Sequence, residues 1–347
     1  MKPFGWSLVS SFALTAAGSP LGVREVQINE RATTVTATQL TSFDLYAQYA
    51  GASYCNSGNA IGSVVTCSAS ACPDVTTAGA KIAATFAGLT TDIQGFLSTD
   101  AKNQVIVVSI RGSHSIRNWL TDFEFIQESC SSLASGCKVH SGFAKAWSEI
   151  SSPVLAAVKA AKAAYPAYKI VFTGHSLGAA VSSLGAAYAR QQGYSVDIVN
   201  FGSPRVGNAA FATFVSNQAG NEYRVTHLDD PVPRLPPIIF GYAHTTPEYW
   251  LSDGTATTTA YAVGDIKVCD GITSLGCNAA TLGLDINAHL YYLAPISACS
   301  PTGLAFKRDT ATNYTWWQAT SPSVTVTDAQ LETQLNAWVK QDVSAAA

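Results

Sequence analysis

Gly174-His175-Ser176-Leu177-Gly178 sets a serine between two glycines, each two residues away. A serine hydroxyl is a weak nucleophile until a base takes its proton, so the string means chemistry only if its setting exposes the Oγ and other residues supply base and acid. The setting does so. Val171-Phe172-Thr173 reads as the end of a buried strand, and an apolar helix leaves from Leu177. Such a strand–turn–helix elbow forces the serine outward above a sheet, and its glycines are needed because a side chain there would strike the adjoining strand and helix. An ordinary tight turn is the plainer alternative, and the flanking strand and helix weigh against it.

In an elbow of this kind the acid and then the histidine follow the serine along the chain. Of the six histidines, His114, His140 and His175 precede the serine. An acid is needed at the end of a later strand, and Asp229-Asp230 stands there, just after a strand ending near His227. His227 therefore drops out. His244 lies too close behind Asp230, because one turn-rich segment would have to supply both partners. His289, in Ile286-Asn287-Ala288-His289-Leu290, has room for intervening strands and is the candidate base. The order leaves Asp229 and Asp230 both open as the acid.

The elements that must hold these groups follow from periodicity. Val105–Ile110 is a continuous β-branched run, as expected of a strand buried on both faces. Trp147, Ile150, Val154 and Val158 recur at helical spacing before Pro166. Lys169–Thr173, an Ala/Leu-rich helix to about Gln192, Val196–Phe201, Gly207–Gln218 and Tyr223–Thr226 continue the alternation. Strands alternating with helices imply right-handed crossovers and a mainly parallel sheet, so the fold class is α/β over residues 32–300.

Composition narrows the classes further. Hydrophobic residues make up 47% and charged ones 12%, with net charge −3 and no basic run beyond Lys307-Arg308. A nucleic-acid binder needs a concentrated positive footprint, and none is present. Met1-Lys2-Pro3, the apolar stretch Phe4–Ala17 and the small residues to Ser19 read as a secretory signal over residues 1–19, with a short pro-segment over 20–31. That apolar stretch falls short of the roughly 20 residues a membrane span requires. The eight cysteines fit an exported chain. Cys67/Cys72, Cys130/Cys137 and Cys269/Cys277 are near enough in sequence to close single loops, leaving Cys55 and Cys299, although sequence alone does not fix the pairing. Zinc is disfavoured because no Cys-x2-Cys pair occurs.

Taken together, these residues resemble the fungal class 3 triacylglycerol lipases, α/β-hydrolases secreted by filamentous fungi, and among them the Fusarium-type extracellular lipases. The resemblance runs from Phe43 to Cys299 and is carried by Arg111-Gly112-Ser113, Ser115–Trp119, His140-Ser141-Gly142-Phe143, the elbow, Gly202–Gly207, Thr226–Pro236 and Ala288-His289-Leu290. It implies Asp230 as the acid, and the pairings Cys55–Cys299, Cys67–Cys72 and Cys130–Cys137. Cys269–Cys277 rests on proximity alone. Ala179 departs from the family's second glycine after the elbow and suits a helix start.

Acyl transfer builds negative charge on the carbonyl oxygen, so preorganised donors are required. The N–H of Leu177 is one, and the resemblance implies Ser113 as the other. After Ser113, the apolar residues Ile116, Trp119 and Leu120 share one face of a short helical lid. The expected protein is a secreted carboxylic ester hydrolase acting on acylglycerols at a lipid–water interface through Ser176, His289 and Asp230. A phospholipase A1 activity could accompany it, and no metal or organic cofactor is called for. Its expected partners are lipid substrate and, transiently, a membrane or droplet surface; it binds no nucleic acid and is expected to act as a monomer. A feruloyl-type esterase is the alternative enzyme, which an apolar lid face argues against; a catalytically dead adhesion module is the alternative outside enzymes. Residues 301–347 form an extension with Lys307-Arg308 as a processing site, the sequon Asn313-Tyr314-Thr315, and a helix over 327–341 opened by a capping box at Thr327. Leu331, Leu335, Trp338 and Val339 share one face of that helix, so it needs an apolar partner: the lid region or the back of the sheet.

Overall fold

The structure, a computed structural model, describes residues 34–112, 125–282, 284–299 and 327–346. Signal, pro-segment, lid, Ser113, dibasic pair and sequon lie outside the described residues. Among the described residues, ten strands fall into two sheets. Eight of them, β1 (Lys81–Ala87), β2 (Gln94–Asp100), β3 (Val105–Ile110), β6 (Lys169–His175), β7 (Val196–Phe201), β8 (Glu222–His227), β9 (Glu248–Leu251) and β10 (Ile266–Cys269), pair in the order β1-β2-β3-β6-β7-β8-β9-β10. The five from β3 to β9 run parallel, with antiparallel strands on both edges. The remaining two, β4 (Gln127–Ser129) and β5 (Lys138–His140), form a separate ribbon. The parallel strands β3, β6, β7 and β8 lie where the periodicity places them, whereas β1, β2, β9 and β10 were not expected: β1 and β10 have mixed burial, and β2 and β9, though largely buried, lack a β-branched run.

Strand alternation explains the layers. Ile106, Val108, Ile110, Ile170, Phe172 and Ile198 face one side, where they pack with Trp147, Ile150 and Val154 of α3 (Ser141–Ala164) and Leu184 of α4 (Leu177–Gln191). Val171 and Val199 face the other side, against Phe43 and Ala47 of α1 (Ala37–Asn56), and Val107 faces it beside Tyr49. Hydrophobic runs buried on both faces are what a central parallel strand demands. Helix α1 opens on a Thr36/Gln39 capping box. Two more helices, α2 (Pro73–Ala78) and α5 (Ala209–Asn217), complete this part of the chain. Four disulfides staple the fold: Cys55–Cys299, Cys67–Cys72, Cys130–Cys137 and Cys269–Cys277, matching the expected set. The sulfurs of Cys55, Cys67 and Cys299 lie close together, but each is already bonded to another sulfur. Among the described residues no helix is long and apolar enough to cross a membrane.

After α6 (Ile286–Leu290), the chain's last helix, α7 (Asp328–Ala346), runs five residues beyond the expected end. Thr327 and Gln330 form its capping box. Leu331, Leu335 and Val339 are buried, and the Trp338 ring meets Phe125 edge-on at 5.3 Å. Its partner is not the back of the sheet. Asp342 accepts from the backbone N–H groups of Ile238 and Ile239 at 3.0 and 3.1 Å and lies 3.4 Å from Arg205 Nη1. Arg205 follows β7, and Ile238 lies in the segment after β8, so α7 sits on loops at the carboxyl ends of these strands. Arg205 also donates to the carbonyls of Arg234 and Pro236. Burial pulls its pKa down to about 10, with Asp342 opposing that shift. Breaking one side of a buried ion pair costs on the order of 3–5 kcal/mol. Asp342→Ala is therefore expected to lower the urea-unfolding free energy by about that amount, and Arg205→Met added to it should restore part of the loss. A change below about 1 kcal/mol in Asp342→Ala would show that the pair carries little.

Candidate active site

Ser176 stands between β6 and α4, as the N-cap of the helix, with φ 59° and ψ −131°. A non-glycine residue held there costs on the order of 1–3 kcal/mol, which the surrounding structure must over-determine. It does. The Ser176 N–H donates to Phe201 O at 3.0 Å, and its own carbonyl accepts from Ala179 N at 3.0 Å. A Cβ at Gly178 would lie 2.7 Å from the Arg111 carbonyl carbon, and one at Gly174 would lie 2.7 Å from Ala179 N. The two glycines are thus required for the reason the sequence suggested. Gly112 also closes on the elbow, since a Cβ there would lie 3.1 Å from Ser176 Cβ. That brings the strand preceding Ser113 against the serine. As N1 of α4, Leu177 has an N–H without an intrahelical acceptor.

His289 lies in α6 and is fully buried, as is Asp230 in the loop after β8. His289 Nδ1 donates to Asp230 Oδ2 at 2.7 Å. This fixes the proton on Nδ1 and leaves Nε2 with its lone pair free; Nε2 has no hydrogen-bond partner among the described residues. Asp230 Oδ1 accepts from Val232 N at 2.8 Å, and Tyr292 O–H donates to Oδ2. Asn278 Nδ2 donates to the backbone carbonyls of Asp230 and Leu228, holding the acid's loop. Asp229, the alternative acid, uses its carbonyl to accept from Arg234. His244, the alternative base, donates to Pro233 O at 2.6 Å and is buried apart from this chain of contacts.

Two histidines excluded as bases by their place in the chain, His175 and His227, hold the candidate base. His175 Nε2 meets the carbonyl of His289 at 2.8 Å, and His227 Nδ1 meets that of Ala288 at 2.9 Å. A carbonyl only accepts, so both ring nitrogens donate. Their other nitrogens must then accept, from Tyr54 O–H and Tyr261 O–H, each at 2.8 Å. The His175 and His289 rings are 4.4 Å apart, which sets the candidate base beside the residue preceding Ser176. Gly202 was read only as part of a motif. It sits at φ 56°, and a Cβ there would lie 2.9 Å from the His289 ring and 3.1 Å from Asp230 Oδ2. Tyr292 was missed, although its place three residues after His289 was a usable signal. Ser113, Ile116, Trp119 and Leu120 lie outside the described residues.

A mainly parallel sheet carrying a strained serine at an elbow, with an acid and a histidine from later loops, defines an α/β-hydrolase. Comparison with known proteins narrows this. The chain matches the Lipase (class 3) family over residues 107–240 and the Lipase 3 N-terminal region over residues 8–83. It is 49% identical over 305 residues to the secreted mono- and diacylglycerol lipase 1 of Fusarium solani, covering 87% of this chain and 91% of that one. The crystal structure of the mono- and diacylglycerol lipase of Aspergillus oryzae superposes with a TM-score of 0.72 at 39% identity, over 76% of this chain and 100% of that one. A triacylglycerol lipase whose catalytic centre is a serine-protease triad matches with a TM-score of 0.66 at 29% identity, over 77% of this chain and 98% of its own. The chain belongs to the class 3 lipase family, and it is a lipase.

The buried histidines give the fold a pH dependence. Burial, above all, lowers the pKa values of His175, His227 and His244, with His289 adding to this at His175 and Arg224 and Arg205 at His244. Unfolded, each titrates near about 6.5. Above that value both states are neutral and the stability is intact. As pH falls below it, the unfolded chain takes up protons that the folded chain refuses, and stability is lost progressively towards the depressed folded pKa values. The melting temperature is expected to fall between pH 7 and pH 5, less steeply in His244→Gln. A flat profile, or an undiminished slope in that variant, contradicts the reading.

Proposed function

We propose that this lipase hydrolyses acylglycerol esters, triacylglycerols included, through an acyl-enzyme on Ser176, after export from the cell. The observation that carries the reading is the Asp230–His289 contact beside the Ser176 elbow. With its proton held on Nδ1, His289 presents Nε2 as the base that takes the Ser176 Oγ proton during attack on the ester carbonyl. The same nitrogen then protonates the departing glycerol oxygen. Asp230 keeps the imidazole in that tautomer and stabilises the imidazolium without itself accepting the proton. The oxyanion meets the N–H of Leu177 and, by the family resemblance, Ser113. Water activated by His289 releases the fatty acid. The relatives' names support acylglycerols over cell-wall esters.

Ser176→Ala, His289→Ala and Asp230→Asn should each lower turnover by about 10³-fold or more with folding retained. The Ser176/His289 double variant is expected to be scarcely worse than either single, because the members act as one unit. Near-normal turnover in His289→Ala with loss in His244→Ala overturns the choice of base.

The lid reading is tested separately. Trp119→Ala should cut hydrolysis of emulsified triolein severalfold more than that of dissolved p-nitrophenyl butyrate; equal losses make Trp119 a pocket or packing residue. Rates on monoolein, diolein, triolein, phosphatidylcholine and methyl ferulate settle the substrate class, and a preference for methyl ferulate defeats the proposal.

A further inference from the structure

Ile126, Ile239, Phe240 and Val343 are 56, 40, 46 and 44% exposed. They come from three separate parts of the chain yet form one neighbourhood. Tyr242 O–H donates to Ile126 O, and Gln127 Nε2 donates to Phe240 O. The Phe125 ring lies 4.8 Å from Phe240 and 5.3 Å from Trp338. Asp342, one residue before Val343, accepts from Ile239 N. The patch thus borders α7 and the loop after β8, at the end of the sheet where the candidate triad lies.

Its charge is as telling as its apolarity. Asp342 is the only carboxylate side chain between residues 333 and 346, and it is turned inward to Arg205. The outward side of this stretch offers water one charged side chain, the cation Lys340. A stable contact with a second copy of the chain buries about 800 Å² per partner, some 20–30 residues a side, which four side chains do not supply. Shallow insertion into a lipid surface needs only a few apolar side chains, and Lys340, three residues before Val343, is a flanking cation that suits it, although Glu128, two residues after Ile126, is an exposed carboxylate.

We propose that Ile126, Ile239, Phe240 and Val343 form a lipid-docking surface in which the C-terminal helix brings Val343 and Lys340 to the aggregate that holds the substrate. This deepens the reading of the site as an acylglycerol hydrolase and rests on it for the identity of the aggregate. It also gives the extension a role opposite to obstruction: the helix is part of the landing face.

The test measures docking without chemistry. In a Ser176→Ala background, partition onto triolein droplets coated with phosphatidylcholine is compared for the parent, Ile239→Asp/Phe240→Asp and Val343→Asp. The double variant should bind about tenfold more weakly or worse, and Val343→Asp severalfold more weakly. Lys340→Glu should weaken binding only where phosphatidylglycerol is included. With Ser176 restored, hydrolysis of dissolved p-nitrophenyl butyrate should stay within about twofold of the parent, since the patch acts before the ester reaches the serine. Phe240→Trp should show a blue shift of its emission on the droplets, a readout that does not require a disruptive charge.

Unchanged partition in both Asp variants, or no blue shift, overturns the proposal. So does an equal loss on the dissolved ester, or a parent dimer that the variants dissociate in sedimentation. Truncation after Arg308 is expected to lower triolein hydrolysis; a rise would show that the helix covers the site instead. Because partition is read with Ser176 replaced, a parent that binds droplets but cleaves no acylglycerol would sink the functional reading and leave the surface standing.

Discussion

A carboxylate without solvent exposure has to find its hydrogen bonds inside the protein, and the arrangement around Asp230 follows from that constraint. Desolvating the charge unpaired would cost far more than folding could recover. Val232 N–H, Tyr292 O–H and His289 Nδ1–H supply the missing solvation. The donors come from two places: Val232 from the turn after β8, and His289 and Tyr292 from α6 and the residues just after it. Satisfying one side chain therefore brings the loop after β8 and the chain after β10 together. Asn278 reinforces this from the backbone side, through the carbonyls of Leu228 and Asp230.

The same logic reaches the histidine. An imidazole whose Nδ1 proton is committed to Asp230 still needs its backbone fixed if its ring is to keep one orientation. His175 and His227 do this through the carbonyls of His289 and Ala288, and each is oriented by a tyrosine hydroxyl. Burial keeps both of them neutral, so neither competes as a proton acceptor for the reaction. Because His175 adjoins Ser176, one ring links the elbow to the loop of the base. The backbone strain of Ser176 is held by the same packing, through Gly174, Gly178 and Gly112.

Much of this was legible in the chain. The elbow was readable because its cause is local: glycines two residues either side of a serine, after a β-branched run. Chain order left His289 as the base, because only it had room for strands after the acid. The choice of Asp230 over Asp229 came from family resemblance, since both residues share one turn and no spacing rule divides them. Tyr292 was legible only through its place three residues after His289, and Tyr54 and Tyr261 were not legible as site residues at all. Each acts through a contact set by tertiary packing, and the last two lie 121 and 34 residues from the histidines they meet. The outer strands β1 and β2 on one side and β9 and β10 on the other escaped for a different reason. β1 and β10 have mixed burial that follows no clean alternation, and β2 and β9, though largely buried, lack a β-branched run like that of β3, whereas α7 declared its buried face but not what it covers.

The placement of charge is the last link between this fold and its work. With only 12% charged residues, the chain still buries Arg205, Arg234 and Asp342 around the loops after β7 and β8, and Arg224 and Glu248 within β8 and β9. Arg224 pairs with Glu248 at 2.9 Å, and Arg205 with Asp342 at 3.4 Å. Buried pairs of this kind add little net stability over apolar packing, so their use is better sought in what they fix. Here they pin irregular loops by their carbonyls and N–H groups, which a leucine could not do. Arg205 alone holds the carbonyls of Arg234 and Pro236, and Asp342 caps the turn at Ile238. Ionic groups taken inward as loop clamps leave the outer rim to Ile126, Ile239, Phe240 and Val343. A surface that meets an apolar phase needs firm loops beneath it, and these buried side chains supply them without spending charge on the rim.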